Sequence, residues 1–160
     1  MNTRVAGALA AAALLAACSR TPPATTGAAA GAGGSSATPG PAPGSEEDLV
    51  ANVGDRVFFA FDKSVLSPED QATLDHQAGW LGRYPQVPVQ VAGNCDDRGT
   101  EEYNLALGQR RANAARDFLM ARGVDATRIT TISYGKDRPT ALGDDEQAWN
   151  QNRNAITSVR

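Results

Sequence analysis

Charged side chains stand at unusual positions around one predicted helix. Asp96 lies in the polar segment 93–100, Gly-Asn-Cys-Asp-Asp-Arg-Gly-Thr, which follows an apolar stretch and precedes a helical pattern. At about 100° per residue, Arg111 falls on the apolar side of that helix. Because an unpaired buried charge is very costly, Arg111 needs a partner, and Asp96, Asp97 and Asp62 are the nearest candidates.

The two faces of this helix differ clearly in composition. The predicted solvated face carries Gln109, Arg110, Asn113, Arg116 and Asp117. The predicted buried face carries Leu105, Ala112, Ala115, Phe118 and Leu119, and Asn104 and Arg111 fall on this side.

Two interpretations of the inward charge remain open. In the first, Arg111 forms an internal salt bridge with an aspartate and only pins the helix to the preceding loop. In the second, the charges line a ligand site. Asp62 and Asp96 each follow a strand that leads into a helix, and ligands of open α/β sheets gather outside the carboxyl ends of strands.

Catalysis and metal binding are poorly supported by the same residues. Asp96 and Asp97 are sequence neighbours and should point in different directions, unlike a facing acid–base pair. A nucleophilic Cys95 needs a histidine as base, and the chain's one histidine, His76, is predicted on a helix surface. One histidine, one cysteine in the folded part and dispersed aspartates do not make a metal ligand set. We therefore expect no enzyme activity, no metal and no cofactor.

The elements that position these residues alternate between strand and helix. The predicted strands are 56–61, 87–91, 128–134 and 154–159. The first helix starts at Ser67-Pro68-Glu69-Asp70, where Ser67 caps and Asp70 completes a capping box, and it ends before Pro85. The second helix spans 100–122, and a short helical turn covers 144–150. This βαβαβ-(α)-β order predicts an α+β fold with a small sheet and helices packed on one face.

The N-terminal part of the sequence predicts an export signal followed by a flexible tether. Residues 1–17 combine a positive charge with a short apolar run, and Leu15-Ala16-Ala17-Cys18 resembles a bacterial lipobox, in which Cys18 is lipidated. A plain secretory signal that contains a cysteine is the alternative. Residues 18–47, rich in Ala, Gly, Pro, Ser and Thr, are predicted to be a flexible linker. The folded domain is predicted to span 48–160.

The overall composition narrows the function further. Hydrophobic residues make up 41% of the chain and the net charge is −3, with basic residues scattered, so binding to nucleic acid is not expected. Cys18 and Cys95 lie in such different contexts that a disulfide between them is improbable.

Several separate motifs, in order, resemble the OmpA-like domain family and, within it, the peptidoglycan-associated lipoproteins. The motifs are Phe-Ala-Phe-Asp at 59–62, the segment 93–100, Tyr-Asn-Leu-Ala-Leu-Gly-Gln-Arg-Arg-Ala-Asn-Ala at 103–114, and Ile-Ser-Tyr-Gly-Lys at 132–136. The resemblance covers nearly all of residues 54–160, and it implies a mixed sheet. It also implies an outer-membrane lipoprotein of the Tol–Pal system that faces the periplasm and binds peptidoglycan, with TolB and possibly other Tol proteins as partners. A peptidoglycan-remodelling enzyme is the alternative function.

The resemblance also implies roles for individual residues. Asp96 would accept hydrogen bonds from the ammonium group of diaminopimelate in the peptidoglycan stem peptide, and Arg111 would pair with its carboxylate. The remaining implied site residues are Asp62, Asn104 and Leu107, which shape the pocket, and Arg153, which buttresses it. A zwitterionic end needs one anion and one planar cation close together, so this assignment is chemically sensible.

The sequence departs from the usual family pattern at three positions. Asn94 stands where the family usually has His, so we expect an altered pH dependence of binding. Cys95 replaces a small Ala or Thr, and we expect it to be a small buried side chain. Asn154 replaces the second Arg of the usual Asn-Arg-Arg, which weakens the case for Arg153 as a direct contact.

Overall fold

The structure is a computed structural model that describes residues 40–160. The predicted signal peptide, the predicted lipidation site Cys18 and most of the predicted linker lie outside the described residues. The helices are α1 (Glu46–Asn52), α2 (Pro68–Arg83), α3 (Glu101–Ala121) and α4 (Glu146–Asn152), with a 3₁₀ turn at Ala126–Arg128. The strands are β1 (Arg56–Phe58), β2 (Val89–Asn94), β3 (Ile129–Gly135) and β4 (Asn154–Val159).

The four strands form one mixed sheet in the order β1-β4-β2-β3. Strands β2 and β3 run parallel and are joined through α3, whereas β4 runs antiparallel to both β1 and β2. Helices α2 and α3 pack on this sheet and against each other. The predicted α+β fold is confirmed.

Local sequence accounts for the ends of the two long helices. Ser67 caps α2 and forms the predicted capping box with Asp70, and Pro68 occupies the first turn, where a missing N–H costs nothing. Thr100 caps α3 by accepting a hydrogen bond from the Tyr103 N–H. Gly123 follows α3 with a φ of +94°, a conformation that glycine adopts without strain.

The core lies between the sheet and the two long helices. Its members are apolar and buried, among them Val57, Leu74, Trp80, Leu81, Val89, Val91, Ala112, Ala115, Leu119 and Ala155. Arg128 closes one side of this core, because its guanidinium donates to the carbonyl of Leu81 in the last turn of α2 and to those of Tyr84 and Val87 just after it.

The first strand is shorter than predicted. It ends at Phe58 rather than Phe61, and it lies at an edge of the sheet. Phe58 is 40% exposed and Phe61 is 57% exposed, so the prediction of a strand buried on both faces is wrong. An edge strand has only one neighbour, and here the Phe58 N–H bonds instead to the Asp70 carboxylate.

One helix was not predicted. Helix α1 begins at Glu46 behind the N-cap Ser45, which places ordered residues ahead of the predicted domain start at 48. Asp48 fastens this helix to the domain by accepting a hydrogen bond from the Trp80 indole at 2.9 Å. Leu49 is fully buried beside it. The helix has only seven residues, too few for a hydrophobic period to reveal it.

Helix α3 touches strand β2 through backbone. A Cβ at Gly93 would lie 1.8 Å from the Gly108 carbonyl oxygen, so only glycine permits this approach. The contact fixes α3 directly above the end of β2. Within residues 40–160 no helix is long and apolar enough to cross a membrane.

Candidate functional site

A cavity of about 210 Å³ lies where β1 and β2 end. Its lining residues come from the loop after β1, the loop after β2 and the first half of α3: Phe61, Asp62, Cys95, Asp96, Arg98, Gly99, Tyr103, Asn104, Leu107 and Arg111. Five of the six predicted peptidoglycan-binding residues are among them, namely Asp62, Asp96, Asn104, Leu107 and Arg111. The cavity therefore carries charges of both signs at the predicted end of the sheet.

Asp96 is buried and is held by two arginines. Its Oδ2 accepts from Arg98 Nη2 at 2.6 Å and from Arg153 Nη1 at 3.1 Å. Its Oδ1 has only a long contact, 3.4 Å, with the Arg98 N–H, which leaves that oxygen with acceptor capacity. Asp97 is exposed, so the two neighbouring aspartates do point in different directions.

Arg153, the sixth predicted residue, stands behind the cavity and does not line it. Its side chain is 3% exposed and donates to the Phe59 carbonyl at 3.1 Å as well as to Asp96. It also pairs with Glu146 at 2.8 Å and contacts Asn150. Arg153 thus joins α4 and the end of β1 to Asp96, which is the arrangement expected of a buttress.

Arg111 is fully buried and its partners are backbone carbonyls. Nε donates to the Lys63 carbonyl at 2.9 Å, Nη1 to Asn94 at 2.8 Å and Nη2 to Ala60 at 3.3 Å. The Phe59 ring centroid lies 5.2 Å from the guanidinium carbon. Burial lowers the pKa of the Arg111 guanidinium, since the charged form loses hydration.

The partner predicted for Arg111 is therefore wrong. The hydrogen bonds that Arg111 makes in the described chain go to carbonyls and not to Asp62, Asp96 or Asp97. The internal salt bridge of the first interpretation is absent from the described residues, and Arg111 is also not open to solvent. The carbonyls come from the loop after β1 and from the last residue of β2, which only the tertiary structure brings together, so sequence spacing gave no sign of them.

A sharp turn after β1 brings two of these carbonyls to Arg111. Asp62 adopts a φ of +56°, a conformation that residues other than glycine seldom take. Its carboxylate accepts a hydrogen bond from the Tyr103 hydroxyl at the start of α3. The link between loop and helix fixes one wall of the cavity.

The floor of the cavity is formed by α3 and Cys95. Asn104 is buried and its amide donates to the Arg98 carbonyl at 2.8 Å, which shapes the loop that carries Asp96. Leu107 is buried beside it. Cys95 is 3% exposed and its thiol donates to the Asn104 carbonyl at 3.3 Å, so the prediction that Cys95 is a small buried side chain is confirmed. Burial raises the pKa of this thiol.

Two of the departures from the family pattern meet in space. Asn94 Nδ2 donates to Asn154 Oδ1 at 2.7 Å, and both residues are buried. Asn154 in turn donates to the Gln151 carbonyl at 2.7 Å. The two amides thus form a neutral link between the end of β2 and the start of β4, directly behind the Arg111 contact at the Asn94 carbonyl.

Arg98 and Tyr103, which were not predicted to belong to the site, also line the cavity. The Arg98 guanidinium lies between two rings, 4.2 Å from the Phe61 centroid and 4.0 Å from the Trp149 centroid. Tyr103 holds Asp62. Arg98 stands in the same polar segment as Asp96, and this proximity was the one available sign of its role.

The electrostatics of the site keep Asp96 ionised. Burial pushes the pKa of Asp96 upward, but hydrogen bonds from Arg98 and Arg153 outweigh that effect and hold the pKa below its usual value. The hydrogen bond to Asp62 raises the pKa of the Tyr103 hydroxyl. In residues 40–160 no group of three or more His, Cys, Asp or Glu is arranged to hold a metal ion. The cavity is suited to hold a small ligand that carries both charges.

Comparison with known proteins identifies close relatives. The OmpA family matches residues 58–153. The chain is 56% identical over 115 residues to the peptidoglycan-associated lipoprotein of Brucella melitensis biotype 1, and this alignment covers 72% of the chain and 68% of the relative. It is 48% identical over 100 residues to the peptidoglycan-associated lipoprotein of Haemophilus influenzae, covering 62% of the chain and 65% of that relative.

Solved structures agree with the sequence relatives. The crystal structure of the peptidoglycan-associated lipoprotein from Burkholderia pseudomallei superposes with a TM-score of 0.65 at 43% identity, covering 66% of this chain and 90% of that one. The C-terminal domain of Helicobacter pylori MotB superposes with a TM-score of 0.62 at 20% identity, covering 66% of this chain and 84% of that one, and shows likeness of fold alone.

Proposed function

The chain belongs to the OmpA family, among the peptidoglycan-associated lipoproteins, and on this premise we propose that its folded domain binds peptidoglycan non-covalently without catalysing a reaction. The observation that carries the proposal is the cavity at the ends of β1 and β2, which is lined by Asp96, Arg98 and Arg111. A stem-peptide side chain that ends in a zwitterion fits such charges.

The proposed ligand group is the diaminopimelate residue of the stem peptide. Its ammonium group binds Asp96, whose Oδ1 keeps acceptor capacity. Its carboxylate lies against Arg111, which forms the inner wall and retains N–H groups beyond those given to the carbonyls. Asp62, Asn104 and Leu107 shape the cavity, and Arg153 holds Asp96 in place.

Co-sedimentation with purified sacculi tests this proposal. Asp96→Asn removes the anion with little change in shape, and loss of a charge-assisted contact worth about 1.5–3 kcal/mol weakens binding about tenfold to a hundredfold. Asp97→Asn is the matched control, because Asp97 is the exposed neighbour, and it binds as the wild type does. Equal binding by both variants would place the site elsewhere.

The same experiment separates binding from hydrolysis. We expect the sacculi to stay intact and no muropeptides to appear in the supernatant. Release of soluble muropeptides by the wild-type protein would instead favour the peptidoglycan-remodelling enzyme.

The proposed setting is the periplasmic face of the outer membrane. Lipidation of Cys18 anchors the chain there, and the wall contact then links membrane to peptidoglycan. Cys18→Ala therefore moves the protein from the detergent phase to the aqueous phase, or leaves it uncleaved. An unchanged mass of the N-terminal peptide with unchanged partitioning would refute this assignment.

TolB and other Tol proteins are the proposed protein partners, as part of the Tol–Pal system. The exposed rings around the mouth of the cavity, Phe61 and Tyr103, offer apolar area for such a contact. Pull-down of TolB by the wild type and by Phe61→Ser tests this, and the same amount of captured TolB would exclude the mouth of the cavity as its binding surface.

A further inference from the structure

Helix α1 is held to the rest of the domain at a few points. Leu49 is fully buried, and Asp48 accepts a hydrogen bond from the Trp80 indole at 2.9 Å. The Glu46 carboxylate accepts another from the Val159 N–H. A helix of seven residues has little stability of its own, so these contacts determine whether it stays folded.

The packing between α1 and α2 is incomplete. A groove of about 420 Å³ lies between the end of α1 and the second half of α2, and Asn52, Val53, Trp80 and Arg83 contribute to its walls. Gly79 lines the groove too, and a Cβ at this position would meet nothing within 4 Å. Because a close-packed interface leaves no such space, detachment of α1 breaks few contacts besides those of its buried residues.

The chain directly after α1 is held much more firmly. Gln77 is fully buried, and its Nε2 donates to the Gly54 carbonyl at 2.8 Å while its Oε1 accepts from the Thr157 hydroxyl at 2.8 Å. The Thr157 N–H donates to the Asp55 carbonyl at 2.7 Å, and β1 then pairs with β4. Separation at this point would leave polar groups of the core without partners, which costs far more than the release of α1.

The proposed function loads the domain at opposite ends of the sheet. The described chain begins just before α1, which lies beside Val159 and the beginning of β2. The cavity lies beyond Asn94, at the other end of β2. When the tether is anchored and the cavity holds the wall, tension reaches the contacts in chain order. Those of α1 are loaded first, and the contacts of Gln77 are loaded after them.

We propose that α1 is an extension of the tether that tension releases: it detaches from α2 and unwinds while the sheet and the cavity stay folded. This inference rests on the proposed function, which supplies the two points of attachment. Release of residues 45–53 replaces about 10 Å of helix by about 30 Å of extended chain, a gain of about 20 Å. The gain lowers the tension on the wall contact, and α1 docks again when the tension falls.

Optical tweezers test the proposal on the chain without its predicted signal peptide. One handle is attached at Cys18 and the other at Glu102→Cys, an exposed position in the first turn of α3 beside the cavity. Cys95 is buried and does not compete for the handles. The wild type shows a small reversible lengthening of about 20 Å at low force, and one large unfolding step follows at higher force.

Leu49→Ala and Val50→Ala are a matched pair of variants within α1. Leu49→Ala weakens only the docked state, because the detached helix no longer contacts the domain. The ratio of detached to docked molecules at a given force therefore rises about thirtyfold or more, and the large step is unchanged. Val50 is 47% exposed, and Val50→Ala leaves this ratio within about threefold of the wild type.

Two results in the tweezers would overturn the proposal. One is a single step in which α1 and the sheet unfold together, and the other is a small step that Leu49→Ala does not alter. Sacculus binding separates these outcomes from the proposed function. Leu49→Ala binds sacculi as the wild type does, since no residue of α1 lines the cavity. Loss of binding in this variant alone also overturns the proposal, whereas failure of the wild type to bind would reject the proposed function itself.

Discussion

At the residue scale, the buried charges of the cavity have partners of different kinds. Asp96 is neutralised by arginines, whereas Arg111 donates to the carbonyls of Ala60 and Lys63 in the loop after β1 and of Asn94 at the end of β2. Removing either side chain therefore has a structural cost as well as an effect on ligand binding. Stability and affinity must be measured together.

Arg111→Ala is expected to lower the free energy of unfolding by more than about 3 kcal/mol, because several buried carbonyls lose their donor at about 1–3 kcal/mol each. Arg111→Lys restores the charge, but a lysine cannot reach all three carbonyls. Its free energy of unfolding therefore lies between those of the wild type and of Arg111→Ala. Arg110→Ala, on the exposed neighbour, is the control. Urea unfolding measures the difference, and wild-type stability in Arg111→Ala would show that the carbonyl contacts are dispensable.

The ionisation of Asp96 predicts a pH dependence of stability. Its pKa is lowered in the folded state, because Arg98 and Arg153 favour the charged form over the cost of burial. A lowered carboxyl pKa stabilises the fold above the unfolded-state pKa, about 3.9, and this contribution is lost as the pH falls through the folded-state pKa. The stability difference between wild type and Asp96→Asn is thus constant from pH 8 to about pH 5 and shrinks below that. A difference that grows on acidification would contradict the assignment.

The direction of these side chains could be predicted from the sequence, but their partners could not. The helical period correctly turns Asn104 and Arg111 toward the interior. It wrongly does the same for Leu105, which is 39% exposed. Every residue has a backbone carbonyl, so partners of this kind cannot be predicted from the pattern of residue types.

At the element scale, the contact between α3 and β2 determines where the cavity lies. Gly93 and Gly108 allow the two backbones to touch, and Arg111 follows Gly108 by one turn, which brings it to the Asn94 carbonyl. The bounds of α2 and α3 were predicted well, because the residues that cap and end a helix directly adjoin it in the sequence. The edge position of β1 depends on distant pairing with β4, which no local signal contains.

Gly93→Ala is expected to destabilise the protein strongly. A Cβ would lie 1.8 Å from the Gly108 oxygen, so α3 must move away from β2 and the wall of the cavity opens. Such overpacking typically costs about 1–3 kcal/mol or more, and sacculus binding falls with it. Thermal unfolding and co-sedimentation measure the two effects.

Gly79→Ala is the matched control for this change. Gly79 lies within α2, and a Cβ there meets nothing within 4 Å. The substitution raises helix propensity and stabilises the protein by about 0.5–1 kcal/mol without altering binding. Equal stability of the two alanine variants would mean that α3 and β2 do not require the close approach.

At the scale of the whole domain, the cavity and the start of the described chain lie at opposite ends of the sheet. The Glu46 carboxylate of α1 accepts from the Val159 N–H, and Val159 pairs with Val89 at the beginning of β2. The cavity lies beyond Asn94, at the other end of this strand, about 17 Å away at 3.3 Å per residue. A tether that joins at α1 therefore leaves the cavity facing away from its point of attachment.

This separation predicts that anchoring and wall binding are independent. A fragment of residues 40–160 retains α1 with its Ser45 cap, and we expect it to fold and to bind sacculi with the affinity of the full chain.

A fragment of residues 53–160 loses the fully buried Leu49 and leaves the Trp80 indole without its Asp48 acceptor. Its unfolding free energy falls by about 2–5 kcal/mol, the usual cost of an emptied leucine site. Below its melting temperature, however, it binds sacculi normally, because the cavity is built without α1. Circular dichroism and co-sedimentation on both fragments separate the two effects. Loss of binding by folded 40–160 would mean that residues before 40 take part in wall recognition.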